Sequence, residues 1–196
     1  MNHFFALELS DAARAQVAAF AERWQGQVDP SLNAQWVAPE NYHVTLKYLG
    51  GVPPERVAAA VTDAVRTMKT PAFRSYIKPL LIEQKPVVLF PGGKPSVLWI
   101  EIIPTDTLQS LSLQMEVIQS GQGVRRDHRP YRPHITLAYC KPGADIAELC
   151  LAEQAFAPFT VNRFVLMETL PSEARANGSA ARYTTVHTFP FANTQS

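Results

Sequence analysis

The chain has 196 residues, 46% of them hydrophobic, enough for one substantial core. Eighteen Lys+Arg against 17 Asp+Glu leave a formal charge of +1, which argues against a protein that coats nucleic acid but leaves room for a local basic patch. Only 18% of residues are charged and 16 are proline, the composition of a globular chain with stiffened loops.

Phe4 to Leu9 reads as an opening strand, with no basic lead before it and an acid soon after, so no signal peptide is expected. Ser10 or Asp11 then caps a helix to Gln25, with Ala13, Val17, Phe20 and Trp24 at helical spacing. After a loop from Gly26 to Asn33, Gln35-Trp36-Val37 is a short strand. Pro39-Glu40-Asn41 turns the chain into a strand from Tyr42 to Leu49, which Gly50-Gly51 ends. Pro53-Pro54-Glu55 opens a second helix to Met68, with Val57, Ala60, Val61, Ala64 and Val65 inward.

The middle is strand-like over Phe73–Ile82, Val87–Phe90 and Ser96–Ile103, with a turn at Pro91–Pro95. Thr105 or Asp106 caps a third helix to Ser120, with Leu108, Leu111, Met115 and Ile118 in register. A polar, basic stretch from Gly121 to Arg132 leads to a strand from Pro133 to Tyr139. Ala144–Ala155 is a short helix or irregular, and Phe159–Thr169 and Arg182–Phe191 are closing strands joined by the Ser172–Ala180 loop. Residues 192–196 are expected as a mobile tail. Cys140 and Cys150 offer neither a disulfide framework nor a zinc spacing, and free thiols in a reducing cytoplasm are expected. No apolar run is long enough to span a bilayer.

One four-residue pattern occurs twice, as His43-Val44-Thr45-Leu46 and His134-Ile135-Thr136-Leu137, once in each half of the chain. Side chains at i and i+2 of a strand share a face, so each copy sets an imidazole beside a hydroxyl. Plain alternation would put Lys47 in line with His43 and Thr45, and turn Val44, Leu46 and Tyr48 to the opposite, apolar face. In the second copy Ile135, Leu137 and Tyr139 would be apolar-facing. A distant internal duplication accounts for the recurrence of strand, helix and His-x-Thr-Leu strand.

Two imidazoles, each with an unperturbed pKa near 6.5, can supply a base and an acid at neutral pH, and two threonine hydroxyls can hold a phosphate. That is what hydrolysis of a cyclic phosphodiester requires: a water loses a proton and a departing sugar oxygen gains one. The scheme needs no metal and no cofactor. A lone His-x-Thr in a strand is ordinarily structural; two copies, one per half, favour function. Arg125, Arg126, His128, Arg129 and Arg132 form the densest basic cluster, in which Arg129 and Arg132 lie nearest the second motif and are the better candidates to meet an RNA backbone. Tyr42, Tyr131 and Trp99 could stack on a terminal base, although aromatics at such positions are more often core or cleft wall. His3 and His187 lack the paired threonine and read as structural.

In these motifs the chain resembles the two-histidine phosphoesterase superfamily, and within it the bacterial RNA 2′,3′-cyclic phosphodiesterases, also called 2′-5′ RNA ligase-like proteins. The matching features are Phe4-Phe5-Ala6-Leu7, Asn41 to Gly50 around the first motif, Arg129 to Leu137 around the second, and Arg182-Tyr183-Thr184. The resemblance implies an α+β fold in one domain over residues 1–196, made of two interleaved, pseudo-symmetric lobes. Each would be an antiparallel sheet with helices outside, and the active site would lie in the cleft between them.

The resemblance also implies a metal-independent hydrolase opening a terminal 2′,3′-cyclic phosphate to a 2′-phosphate. His43 would be the acid and His134 the base, Thr45 and Thr136 would hold the phosphate, and Arg129, Arg132 and Tyr131 would bind substrate. The partner implied is RNA or a nucleotide with a cyclic phosphate end, and the protein is expected to be a cytoplasmic monomer. Two alternatives stand beside this: a ligase or phosphodiesterase acting on 2′-5′ linkages or another small cyclic phosphate, and a non-catalytic module that binds RNA ends. The chain departs from the family where relatives often carry an arginine two residues after the second motif's Leu, here Tyr139; Arg129, Arg132 or Lys141 would be the substitutes.

Overall fold

A computed structural model describes residues 1–26, 28, 30, 33–71, 73, 80–89, 97–121, 124, 126–140, 156–171 and 182–191, with 84–89 as backbone only. The expected turn at Pro91–Pro95, the Ala144–Ala155 segment, the Ser172–Ala180 loop, the tail, Arg125, Lys141 and Cys150 lie outside the described residues.

Among the described residues, the longer helices and the strands follow in the order β1 (His3–Glu8), α1 (Asp11–Gln25), β2 (Gln35–Trp36), β3 (His43–Gly50), α2 (Pro54–Met68), β4 (Leu80–Ile82), β5 (Gln84–Leu89), β6 (Val97–Ile102), α3 (Asp106–Gly121), β7 (His134–Tyr139), β8 (Phe159–Val161), β9 (Arg163–Thr169) and β10 (Tyr183–Pro190). The main sheet runs β10-β9-β1-β3-β7-β6-β5, with β2 beside β7, and its pairings are antiparallel. This is the expected mixture of helices and antiparallel sheet. No described helix is long and apolar enough to cross a membrane.

Local chemistry explains the two helices that follow β1 and β6. Ser10 accepts the Ala13 N–H at 3.2 Å and Thr105 accepts the Leu108 N–H at 3.3 Å, each hydroxyl satisfying an orphan donor of a first turn that opens with aspartate. Val17 and Phe20 of α1, Leu108, Leu111 and Met115 of α3, and Ala60 and Ala64 of α2 then join Phe5, Leu7, Ile100 and Ile102 in one core on a single face of the sheet.

The two halves repeat one another. In the first, β1 feeds α1 and pairs with β3 in the register Glu8↔His43, Leu7↔Val44, Ala6↔Thr45. In the second, β6 feeds α3 and pairs with β7 in the register Glu101↔His134, Ile100↔Ile135, Trp99↔Thr136. Each motif strand then carries a β-bulge at the same place. Thr45 faces Ala6 and Lys47 faces Phe5, leaving Leu46 without a partner; Thr136 faces Trp99 and Ala138 faces Leu98, leaving Leu137 without one.

The bulges correct the alternation expected from sequence. An extra residue reverses every later side chain, so Lys47 goes inward and Tyr48 and Tyr139 turn outward to the imidazole face. Lys47 is 4% exposed and donates to Glu116 Oε2 of α3 at 2.8 Å, which makes it a tie between sheet and helix. The same helix is fastened by Ser112, whose hydroxyl donates to the Leu46 carbonyl at 3.0 Å.

Two further expectations change. Pro71 and Phe73 are helical where a strand was expected to start, because Thr70 Oγ1 caps that turn by accepting the Phe73 N–H and proline suits a first helical position. The single strand expected over Phe159–Thr169 breaks at Asn162: β8 pairs with β4 in a separate two-stranded sheet, while β9 enters the main one. Pro86 sits in β5 at the sheet edge, within a register shift, where its missing N–H is tolerated.

The Lys47 and Glu116 side chains are only 3% and 14% exposed, so removing the ammonium takes its 2.8 Å partner from a largely buried carboxylate. Lys47→Met is expected to lower the unfolding free energy by roughly 3–5 kcal/mol in urea titrations. A change under 1 kcal/mol would show that the pair is dispensable.

Candidate active site

The two halves of the sheet meet where β3 lies against β7, and the only residues paired there are Val44 and Ile135, both fully buried. Since the strands are antiparallel, one step along each sets His43 opposite Thr136 and Thr45 opposite His134. The half-buried imidazoles and hydroxyls therefore form a diagonal square on the face opposite α1 and α3. Its corners are the four residues expected from the repeated motif.

Each imidazole is oriented in the same way. His43 Nδ1 lies 2.7 Å from the Asn41 carbonyl and His134 Nδ1 lies 2.7 Å from the Arg132 carbonyl. A carbonyl only accepts, so in both neutral rings Nδ1 carries the proton and Nε2 keeps the free lone pair. Pro39-Glu40-Asn41 forms a single 3-10 turn that brings the first carbonyl into place, and the Asn41 side chain also accepts the Arg182 N–H at 2.6 Å.

Aromatic walls hold the rings. Phe4 lies 4.9 Å from His43 at 31°, and Tyr183 meets the same imidazole edge-on at 5.3 Å. Trp99 lies 4.3 Å from His134 at 32°. The Arg132 guanidinium sits over the same indole, 5.5 Å from its ring centroid, and is 3.4 Å from the Glu101 carboxylate.

These surroundings set the charge states. Desolvation pushes the His43 pKa down to about 4, against the opposing pull of the Asn41 carbonyl, and the nearby His134 lowers it further. His134 is also lowered, chiefly by desolvation, with Arg132 adding to the fall while the Arg132 carbonyl and the Glu101 carboxylate oppose it. His134 thus has a carboxylate that favours its charged form. At His43 the corresponding carboxylate is engaged elsewhere: Glu8, its cross-strand neighbour, is paired with Arg163 at 2.8 Å.

The expected accessory residues are placed unevenly. Arg132 stands beside His134, as described. Arg129 is exposed and bound to Asp127 through three contacts of 2.6–3.2 Å, which hold the aspartate carboxyl well below its usual range. It lines, with α3 and His128, an open groove of about 590 Å³ that includes neither His43 nor His134. Tyr131 donates its hydroxyl to the Thr45 carbonyl at 2.9 Å, and burial raises its pKa far above the ordinary value. Its phenol thereby ties the approach to β7 onto the bulge of β3. His3 packs 3.4 Å from Glu168, and His187 lies against Phe189; neither belongs to the square. Cys140 is buried with a free thiol.

Sequence reasoning did not single out Glu101 or the carbonyls of Asn41 and Arg132, and it named Tyr183 only as part of the matching Arg182-Tyr183-Thr184. Glu101 had a readable signal, since Glu8 and Glu101 each precede a capping Ser10 or Thr105 and pair with a motif histidine. The carbonyls had none, because every residue has one.

A family model described as the 2′-5′ RNA ligase superfamily matches residues 9–173. An RNA 2′,3′-cyclic phosphodiesterase of Aquifex aeolicus is 27% identical over 124 residues, covering 62% of this chain and 63% of that protein, so the match spans just under two thirds of the relative. One from Thermotoga maritima is 24% identical over 162 residues, covering 82% and 81%. In structure the chain is similar to E. coli LigT complexed with 3′-AMP, at a TM-score of 0.73 and 21% identity over 98% of both chains. It is also similar to TT0787 of Thermus thermophilus, at 0.72 and 22% over 97% and 98%. The fold is that of these proteins, and the chain belongs to the 2′-5′ RNA ligase superfamily.

Proposed function

We propose that this chain is an RNA 2′,3′-cyclic phosphodiesterase, a hydrolase that opens a terminal cyclic phosphate to a 2′-phosphate by paired histidine acid–base catalysis. The observation that carries the reading is the diagonal square: two imidazoles with the same free nitrogen, each opposite a threonine hydroxyl. A phosphate seated over the square would have an Nε2 on either side. One takes a proton from the attacking water as its oxygen bonds to phosphorus; the other gives a proton to the 3′ oxygen as the P–O3′ bond breaks. The threonine hydroxyls donate to the non-bridging oxygens, where negative charge accumulates. The names of the curated relatives support the same substrate class. The reading carries with it a cytoplasmic, monomeric protein acting on RNA ends.

Hydrolysis of a 2′,3′-cyclic nucleotide should persist in excess chelator and fall by about 10²- to 10⁴-fold in each of His43→Ala and His134→Ala. Tight binding of a phosphate-ended RNA without turnover would instead support the binding-module alternative, and loss on chelation would reveal a metal requirement.

We assign His43 as the acid and His134 as the base, following the family resemblance. Glu101 favours the reverse in the free protein, because it stabilises the charged form of His134. A substrate with sulfur at the 3′ bridging position needs no proton on its leaving group, so it should restore turnover to the variant lacking the acid. Recovery of His43→Ala supports the assignment; recovery of His134→Ala reverses it.

Both histidines are depressed in the free protein, so the protonated acid becomes scarce as pH rises, while the base is protonated only at low pH. The kcat/KM profile should therefore be a bell with its maximum below pH about 6.5. An anionic phosphate in the square favours imidazolium and raises both values, so the kcat bell should lie to the alkaline side of it. A kcat profile at or below the pH of the kcat/KM profile would contradict this electrostatic account.

A further inference from the structure

The two bulges leave one feature that the acid–base reaction does not use. Tyr48 is 55% exposed and Tyr139 is 40% exposed, and they are the only aromatic residues among the large hydrophobic side chains exposed in the described residues. They occupy the same place in the two halves, three residues after Thr45 and three after Thr136. Tyr48 stands directly across from Phe4, which lies against His43, and Tyr139 stands directly across from Val97, on the Trp99 side of β6. Both phenols are therefore on the imidazole face. Because β3 and β7 are antiparallel, Tyr48 lies beyond one end of the square and Tyr139 beyond the other. A strand rise of about 3.3 Å per residue keeps each within roughly 10 Å of its threonine, about the reach of one nucleoside. Gln35, exposed and also directly across from Tyr139, adds an amide at that end.

The chemistry of a ribose 2′,3′-cyclic phosphate matches this spacing. The phosphate bridges the 2′–3′ edge of the sugar. The base leaves from C1′ at one end of that edge, and the chain to the 5′ neighbour leaves from C4′ at the other. A ribose seated with its phosphate in the square thus sends its own base one way and the preceding nucleotide the opposite way. An exposed aromatic ring waits at each end. Base–aromatic stacking tolerates any base, since every base has a π-face.

We propose that Tyr48 and Tyr139 are two nucleobase platforms flanking the phosphate square, so that the ligand is an RNA end of at least two nucleotides rather than a lone cyclic phosphate. This rests on the cyclic phosphodiesterase reading and specifies its substrate.

Three probes separate the two: ribose 2′,3′-cyclic phosphate, adenosine 2′,3′-cyclic phosphate, and the adenylyl dinucleotide ending in the same group. In the natural chain kcat/KM rises along that series. Tyr→Ala at the platform for the terminal base lowers the last two probes by roughly 5- to 100-fold, and Tyr→Ala at the other lowers only the dinucleotide. Neither change affects the base-free probe, and Tyr→Trp at either position restores the loss. Unchanged kcat/KM for the dinucleotide in both alanine variants overturns the proposal. Should the natural chain hydrolyse none of the three, the phosphodiesterase reading falls, and the platforms are judged by dinucleotide affinity: weaker binding in both alanine variants upholds them and equal binding overturns them.

Discussion

Val44 and Ile135 form the one direct pairing between the two motif strands, each of which belongs to its own strand–helix–strand unit, while β2 adds a second seam by pairing with the far end of β7. Both residues are fully buried, so the step is held by the helix-side core as well as by the backbone. Every functional distance follows from it. A shift of one residue along either strand would turn His43 or His134 to the helix face and bury an imidazole among leucines. The register is specified strongly because the two faces of these strands differ so much in polarity.

The helix side reinforces that register. Lys47 reaches Glu116, Ser112 reaches the Leu46 carbonyl, and Tyr131 reaches the Thr45 carbonyl, so three side chains converge on the bulge just past the first motif. Two of the three come from α3 or end on it, and Tyr131 comes from the approach to β7. The second half thus grips the first at the residues that set the first imidazole's face. A charged pair is an expensive way to make such a tie, since both groups lose water, but it is directional in a way that an apolar contact is not.

Much of this was legible in the chain. The motif residues named the corners of the square, and the alternation of Val44, Leu46, Ile135 and Leu137 correctly put the apolar side chains toward the helices. The caps at Ser10 and Thr105 could be read from residue type and position. What failed was the phase after each threonine. A bulge is a two-strand property, set by what Phe5 and Leu98 require of their partners, and a single strand's sequence does not contain that information. Lys47 was consequently placed toward ligand when it is buried, and Tyr48 and Tyr139 toward the core when they are exposed. The break at Asn162 was lost for a similar reason, since a strand that changes sheets keeps its apolar pattern.

The carbonyls that orient the two imidazoles belong to the main chain. No side-chain replacement at positions 41 or 132 can delete them, so the tautomer is insulated from substitution there in a way that a carboxylate-held histidine is not. The protection has a limit in the path of the backbone. Two residues before each histidine the chain must turn its carbonyl back toward the ring, and Pro39 and Pro133 narrow the conformations from which that turn is made. Relatives could therefore differ in the side chains at these positions while inheriting the same tautomer at both imidazoles, encoded by curvature and not by residue identity.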